Sequence, residues 1–353
     1  MKAGIISLGS VSSQMVADKL KQYFDRVDMI NLKEIEVTLG RDAGVYYQGE
    51  LLPKYDTLYV KGSFRYAQLL RSITSMLEKS VPYLPLPSHS FTVVHNKLLT
   101  HLALQQHNIP MPRTYVSPNI EEAKYLLKRV NYPIVMKFPH GTQGKGVMFA
   151  DSESSAASVL DALGALNQPF IIQEYIESGG TDVRVIVIGD RAVAAMRRRA
   201  MTNEKRANIH AGGSGEKVEL TSKISTLAVQ TAKALGADIC GVDILEGPRG
   251  AMVIEANISP GLQGISKVVD VDIADSIAKH MHDKTVKMLK PKGGVLKELN
   301  LEEISGDKEL MTNLKIRGDQ IVLPPVVKRI SALTETDDVR IKLNKHKISI
   351  EKL

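Results

Sequence analysis

Short apolar runs alternate with stretches of helical period along most of this chain. Ala3 to Leu8 is one such run and ends at Gly9-Ser10. From Val11 to Phe24 apolar positions then recur as on one face of a helix. Asp28 to Leu32 and Leu58 to Val60 read as further strands, with a second helix around Tyr66 to Glu78. Strands alternating with helices imply an open α/β sheet over residues 1–87. Pro82, Pro85 and Pro87 then punctuate the chain and mark a boundary.

Beyond it the period changes. A helix is predicted from Asn96 to His107, stopped by Ile109-Pro110-Met111-Pro112. Tyr132 to Phe138, Val147 to Ala150 and Phe170 to Ile176 read as strands. Asp182 to Ile188 and Ala192 to Met196 form a hairpin around Gly189-Asp190. A helix from Ser222 to Leu235 leads into the strands Cys240 to Leu245 and Met252 to Ile258, and Asp272 to Met288 is a last helix. Residues 88–288 thus form a second α+β region. Residues 289–311 read as a linker of mixed charge, and 312–353 regain strand character.

Composition narrows the classes. In 353 residues, 43% are hydrophobic and 24% charged, so a globular chain is expected rather than a disordered one. One cysteine, Cys240, excludes an internal disulfide framework and any cysteine-clustered zinc site. No run approaches the roughly 18 apolar residues of a membrane span, and the N-terminal run is too short for a signal peptide. A soluble, cytoplasmic protein with no membrane partner is the expectation. The absence of Trp argues against stacking platforms for single-stranded nucleic acid. The net charge of +7 asks whether the excess serves a polyanion or a small anionic ligand.

The most informative segment runs from Gly241 to Asn257. Glu255 and Asn257, two apart on a strand, share one face, and a hairpin turning about Arg249 sets Asp243 opposite Glu255. Facing carboxylates repel unless a hard cation bridges them to phosphate oxygens. Taken alone, the segment reads more readily as two acids on a solvated hairpin. Gly141, Gly144 and Gly146 allow backbone N–H groups to approach an anion, with Lys145 beside them. Lys137, in an apolar run, points either inward or to water from an edge strand. Asp182 and Arg184 share a face, and Arg197-Arg198-Arg199 follow on the returning strand. Such arginines suit a carboxylate or phosphate, or simply a solvated or nucleic-acid-facing edge. His210 to Gly215 is a second Gly-rich stretch.

In this order the segments resemble the ATP-grasp superfamily, and within it the RimK-like amino-acid ligases. The carrying residues are His95-Asn96-Lys97, Val135-Met136-Lys137, Gly141 to Gly146, Gln173-Glu174-Tyr175, Asp182-Val183-Arg184, Arg206 to Gly213, Gly241-Val242-Asp243 and Glu255 to Gly261. The resemblance covers residues 1–285. It implies an N-terminal open α/β domain, two α+β subdomains gripping ATP, and a small β-rich C-terminal domain. It also implies that Lys97 and Lys137 contact ATP phosphates, with Gly141, Gln143, Gly144 and Gly146 in the phosphate loop. Glu174 and Tyr175 would hold the adenine side, and Asp182 the ribose or adenine edge. Arg206, Ala207 and Asn208 would line the nucleotide, and Asp243, Glu255 and Asn257 would bind two magnesium ions, with manganese able to substitute. Arg184 and Arg197 are candidates for orienting substrate or stabilising transferred charge. The implied reaction turns a carboxylate into an acylphosphate that an amine attacks, which needs no thiol. The expected amino acid is glutamate, added to a protein C-terminus or to a small-molecule or coenzyme acceptor. Val60-Lys61-Gly62-Ser63-Phe64 stands where the family often carries an arginine-containing segment.

From Leu314 the tail resembles the AbrB-like swapped-hairpin domain: a strand with a central Gly ending at Pro324, a short helix, then a hairpin from Asp338 to Glu351. From Lys284 onward 15 Lys and Arg face 10 Asp and Glu, so most of the net charge sits here. A homodimerising tail is favoured over DNA binding. The alternative function is a nucleotide-sensing DNA-binding or regulatory protein acting through this tail.

Overall fold

In the computed structural model, residues 1–139, 141, 146–199, 214–290, 315–317, 320–322, 337–344 and 347–352 are described. The chain divides into two units, Met1–Gly293 and Gly294–Leu353.

The larger unit opens with β1 (Lys2–Ser7) and α1 (Val11–Leu20), then β2 (Arg26–Asn31), the short strands β3 (Ile35–Thr38), β4 (Gly44–Tyr47) and β5 (Glu50–Leu51), then β6 (Thr57–Val60) and α2 (Ala67–Leu77). β1 lies between β2 and β6 in a parallel sheet, as the alternation of strand and helix implied. The β3–β4–β5 meander was not legible. Its strands are two to four residues long, and β4 turns into β5 through Gln48-Gly49, both at positive φ, instead of the commoner Asn-Gly. Ser10 ends the first strand–helix connection by accepting the Ser13 N–H at 3.2 Å.

Next come α3 (Ser88–Val94), α4 (Lys97–Gln106), β7 (Thr114–Tyr115), α5 (Ile120–Leu127), β8 (Ile134–Lys137), β9 (Val147–Ala150), α6 (Glu153–Ala165) and β10 (Ile171–Glu174). Pro87, the last of the proline cluster, is the N-cap residue of α3. Four antiparallel strands stand in the order β7-β10-β8-β9. Their alternation divides the sheet: Ile134, Met136 and Ile172 pack under α5 and α6 in a small core with Leu127, Leu160 and Leu163. Val135, Lys137 and Gln173 face the other way.

The third layer is β11 (Thr181–Ile188), β12 (Arg191–Arg199), β13 (Ser214–Lys217), α7 (Ser222–Ala234), β14 (Ile239–Gly247), β15 (Gly250–Asn257) and α8 (Ile273–Leu289). These strands form an antiparallel sheet ordered β13-β12-β11-β14-β15. Val183, Val185, Val242 and Ile244 are fully buried in one core shared with the N-terminal sheet. Cys240 is fully buried in that core. No helix among the described residues is long and apolar enough to cross a membrane.

In the smaller unit, β16 (Lys315–Arg317) pairs antiparallel with β17 (Gln320–Val322), and β18 (Val339–Asn344) with β19 (Lys347–Lys352). The expected single strand from Leu314 is therefore two strands paired with each other, with Arg317 opposite Gln320. The expected short helix from Pro325 to Leu333 lies outside the described residues.

Candidate active site

A cavity of about 560 Å³ is lined by the open faces of the four- and five-stranded sheets and by the first turn of α1. Strand alternation builds it: residues whose neighbours pack in the cores face it.

From the four-stranded sheet comes Lys137. It sits on an internal strand between β9 and β10, which decides against the edge-strand alternative. Its ammonium donates to Gln173 Oε1 at 2.6 Å. Burial pulls its pKa down to about 8, against the opposing pull of Glu255. Gln173 is 2% exposed, and its amide nitrogen donates to Thr114 Oγ1 and to His101 Nε2, each at 2.9 Å. His101 Nδ1 lies 2.5 Å from the Lys97 carbonyl. A carbonyl only accepts, so Nδ1 carries the proton and Nε2 is the acceptor. The ring is neutral, its pKa depressed by burial to about 4. Lys97 opens α4 next to its cap Asn96, and its ammonium donates to the Gly141 carbonyl at 2.8 Å and lies 3.7 Å from Glu255. Gly146, at φ +76°, sits so close to Phe138 that a Cβ there would approach the ring to 2.2 Å.

From the five-stranded sheet comes a row of charge. β14 and β15 close at Gly247 opposite Gly250, a register that alone would set Ile254 against Asp243. An irregularity between Asp243 and Ile244 shifts it by one, so Glu255 stands opposite Asp243, with Asn257 beyond on the same face. The neighbouring strand sets Arg184 beside Asp243, which it grips through two bonds of 2.7 Å. Arg198 pairs across to Asp182 at 2.5 and 2.6 Å and also reaches Asp243 at 2.8 Å. Burial opposes ionisation of Asp243, but Arg184 and Arg198 outweigh it and hold the carboxyl down to about 2. Burial and the adjacent Asp243 charge push Asp182 up.

Glu174 closes the cavity at the other edge, accepting the Arg113 N–H at 2.7 Å and pairing with Arg249 at 2.6 Å. Tyr175 stacks edge-on to Phe149. Arg197 does not line the cavity. It alternates with Arg198 on β12, so it faces outward and pairs with Glu246 at 2.8 Å. Gln143, Gly144, Arg206, Ala207 and Asn208 lie outside the described residues. The other expected residues converge: Lys97, Lys137, Gly141, Glu174, Tyr175, Asp182, Arg184, Asp243, Glu255 and Asn257 line one cavity, with Gly146 beside it. Residue reading missed Arg198, Lys61, His101 and the role of Gln173. Asp182 on the paired strand carried a signal for Arg198, and the i, i+4 spacing from Lys97 carried one for His101.

The donor set suits a hard divalent cation: Asp243, Glu255 and Asn257 offer oxygen only. Among the described residues no group of three or more His, Cys, Asp and Glu could hold a metal by itself. Two carboxylates and an amide need phosphate oxygens to complete a shell.

Residues 94–281 match the RimK-like ATP-grasp domain. A probable alpha-L-glutamate ligase of Saccharophagus degradans is 36% identical over 242 residues, 68% of this chain and 80% of that protein. Probable alpha-L-glutamate ligase 2 of Pseudoalteromonas atlantica is 33% identical over 297 residues, covering 82% and 97%. Among solved structures, the ATP-grasp ligase PsnB complexed with minimal precursor, Mg and ADP superposes with a TM-score of 0.63 at 19% identity, covering 81% of this chain and 98% of that one. A RimK domain ATP-grasp protein from Sphaerobacter thermophilus gives 0.61 at 15%, covering 80% and 99%. These two show likeness of fold.

Proposed function

The chain belongs to the family of RimK-like ATP-grasp ligases, and from that premise we propose that it joins L-glutamate to a carboxylate acceptor through an acylphosphate. A carboxylate oxygen of the acceptor attacks the γ-phosphorus of ATP, and the bond to the bridging oxygen breaks to release ADP. The glutamate amine then attacks the acyl carbon, phosphate leaves, and the nitrogen gives up a proton. No protein nucleophile is needed, so the work is positioning and charge stabilisation. One observation carries the reading: the carboxylates of Asp243 and Glu255 and the ammonium groups of Lys97 and Lys137 line one cavity of about 560 Å³, with Lys97 3.7 Å from Glu255.

Lys97, Lys137 and the backbone at Gly141 and Gly146 hold phosphates, and Glu174 and Tyr175 flank the base. Asp243, Glu255 and Asn257 hold magnesium, which when bound neutralises charge on the phosphate oxygens. Arg184 and Arg198 fix Asp243 as a carboxylate and set their own charge beside the transferred phosphoryl group. Arg198 takes the role for which the family resemblance made Arg197 a candidate. Asp182, held by Arg198, orients that guanidinium. The relatives' names support glutamate as the amino acid. The acceptor is a protein C-terminus or a small acid. ADP release by the full chain with magnesium, ATP, L-glutamate and candidate acceptors tests this, with hydroxylamine to trap the acylphosphate. Glu255→Gln is expected to lower turnover about a hundred- to a thousandfold. A wild-type chain that binds no ATP in the presence of magnesium sinks the reading.

The tail we assign to self-association. Two-stranded hairpins are at best marginal alone. Val339 and Ile341 on β18 and Ile350 on β19 leave apolar side chains exposed, with Ile341 opposite Ile350. A second copy covering this face accounts for it, as a swapped-hairpin dimer would.

A further inference from the structure

The cavity has an end that the nucleotide reading does not use. It is walled by the start of α1, by the loop Lys61-Gly62-Ser63 after β6 and by Ser259-Pro260-Gly261 after β15. Two hydrogen bonds join these pieces. The Gly62 N–H donates to Ser259 Oγ at 3.1 Å, and the Leu262 N–H to Ser12 Oγ at 2.9 Å.

Lys61 is 4% exposed and lines the cavity. Among the described residues its ammonium has no carboxylate and no hydrogen-bond acceptor; it lies over the Tyr59 ring, 5.2 Å from the centroid. A buried lysine is normally paired. None of the acids that line the cavity belongs to these three segments: Glu174, Asp182, Asp243 and Glu255 come from the two sheets. Beside Lys61 stands the N-terminus of α1, ten residues long. Ser10 satisfies the Ser13 N–H, and the first-turn N–H groups of Val11 and Ser12 have no acceptor within the helix. A buried cation and a positive helix end, with the Ser10 and Ser13 hydroxyls bonded to each other at 2.9 Å beside it, therefore line this end without a carboxylate of their own.

We infer that Lys61 and the first turn of α1 form a subsite for the carboxylate of an acidic substrate that is not the one activated. The inference rests on the ligase reading, which places the phosphates of ATP at Lys97 and Lys137. A diacid fits: one carboxylate reacts beside the arginine row while the other anchors at Lys61. The glutamate substrate fits equally, its amine directed at the acyl carbon while a carboxylate is held. Burial alone draws the Lys61 ammonium down to about 8, and a bound carboxylate restores its charge.

Calorimetry on the full chain with magnesium and a non-hydrolysable ATP analogue tests this, with L-glutamate and glutarate as the probes. Lys61→Met is expected to weaken probe binding about tenfold or more, and Lys61→Arg to retain most of it. Nucleotide affinity, measured on the same samples, is expected within about twofold of wild type, which also reports intact folding. A wild-type chain that binds the nucleotide but neither probe overturns the subsite, and so does a Lys61→Met chain that binds both probes as wild type does. A wild-type chain that fails to bind the nucleotide overturns the ligase reading instead.

Discussion

Lys137 can serve an anion only while it stays charged and in place, and its own flexible side chain secures neither. The chain holds it indirectly. The Lys97 carbonyl fixes the His101 tautomer, His101 fixes the Gln173 amide, and Gln173 presents its oxygen to Lys137. Lys97 and Lys137 are thereby tied through one neutral imidazole. His101→Leu is expected to raise KM for ATP about three- to tenfold, the worth of one or two such bonds. In a Lys137→Met background the same change is expected to add little, because it acts through Lys137. Additive losses would show that His101 merely packs. A pH signature goes with it. The ring titrates near 6.5 when free and near 4 when buried, so between these values the unfolded chain binds the proton first. The neutral ring's contribution to stability is fully present above about 6.5 and is lost as pH falls toward about 4. Denaturation midpoints against pH are expected to show this limb in the wild type and a flatter one in His101→Leu.

At the scale of elements, strand alternation makes most of the site legible in the sequence. Asp243 opposite Glu255 follows from counting back from the turn, although the turn sits half a residue earlier than assumed and a bulge restores the pairing. Arg197 was misplaced because three consecutive arginines carry no sign of which one faces inward. The sign lay on the adjacent strand, where Asp182 stands opposite Arg198. α5 and α6 were not anticipated; the small core beneath them is built by residues far apart in sequence. Lys61 was beyond sequence reading, since its burial depends on three segments meeting. The β8–β9 connection offers an element-scale prediction. Gly146 has a left-handed φ and Phe138 against it, so Gly146→Ala adds both backbone strain and a clash. ATP affinity is expected to fall about tenfold or more, as a penalty near 1.4 kcal/mol dictates. Phe138→Ala in the same chain is expected to recover part of the loss. An unchanged affinity in Gly146→Ala would remove this turn from phosphate binding.

For the whole molecule, the net charge of +7 separates into two problems. In the larger unit the cavity cations answer to local partners: Arg184 and Arg198 to Asp243, Arg198 also to Asp182, and Lys97 to Glu255 and Gly141. Lysines left over there suit a small acid and a nucleotide. From Lys284 onward the excess is five positive charges, of which Lys284, Lys287, Lys290 and Lys292 supply four within the larger unit, while the smaller unit sets 11 Lys and Arg against 10 Asp and Glu. A tail made to bind DNA would use that charge, whereas a tail made to pair would use the apolar side chains of Val339, Ile341 and Ile350. The two uses separate by experiment. Ile341→Glu in the full chain sets a charge against Ile350 and its counterpart in a second copy. Sedimentation is expected to report a dimer for the wild type and a monomer for Ile341→Glu, at any salt concentration that leaves the chain folded. ATP binding is expected to be equal in both, because no described residue of the tail lines the cavity. A wild-type monomer that binds duplex DNA with a steep salt dependence would instead assign the tail to nucleic acid.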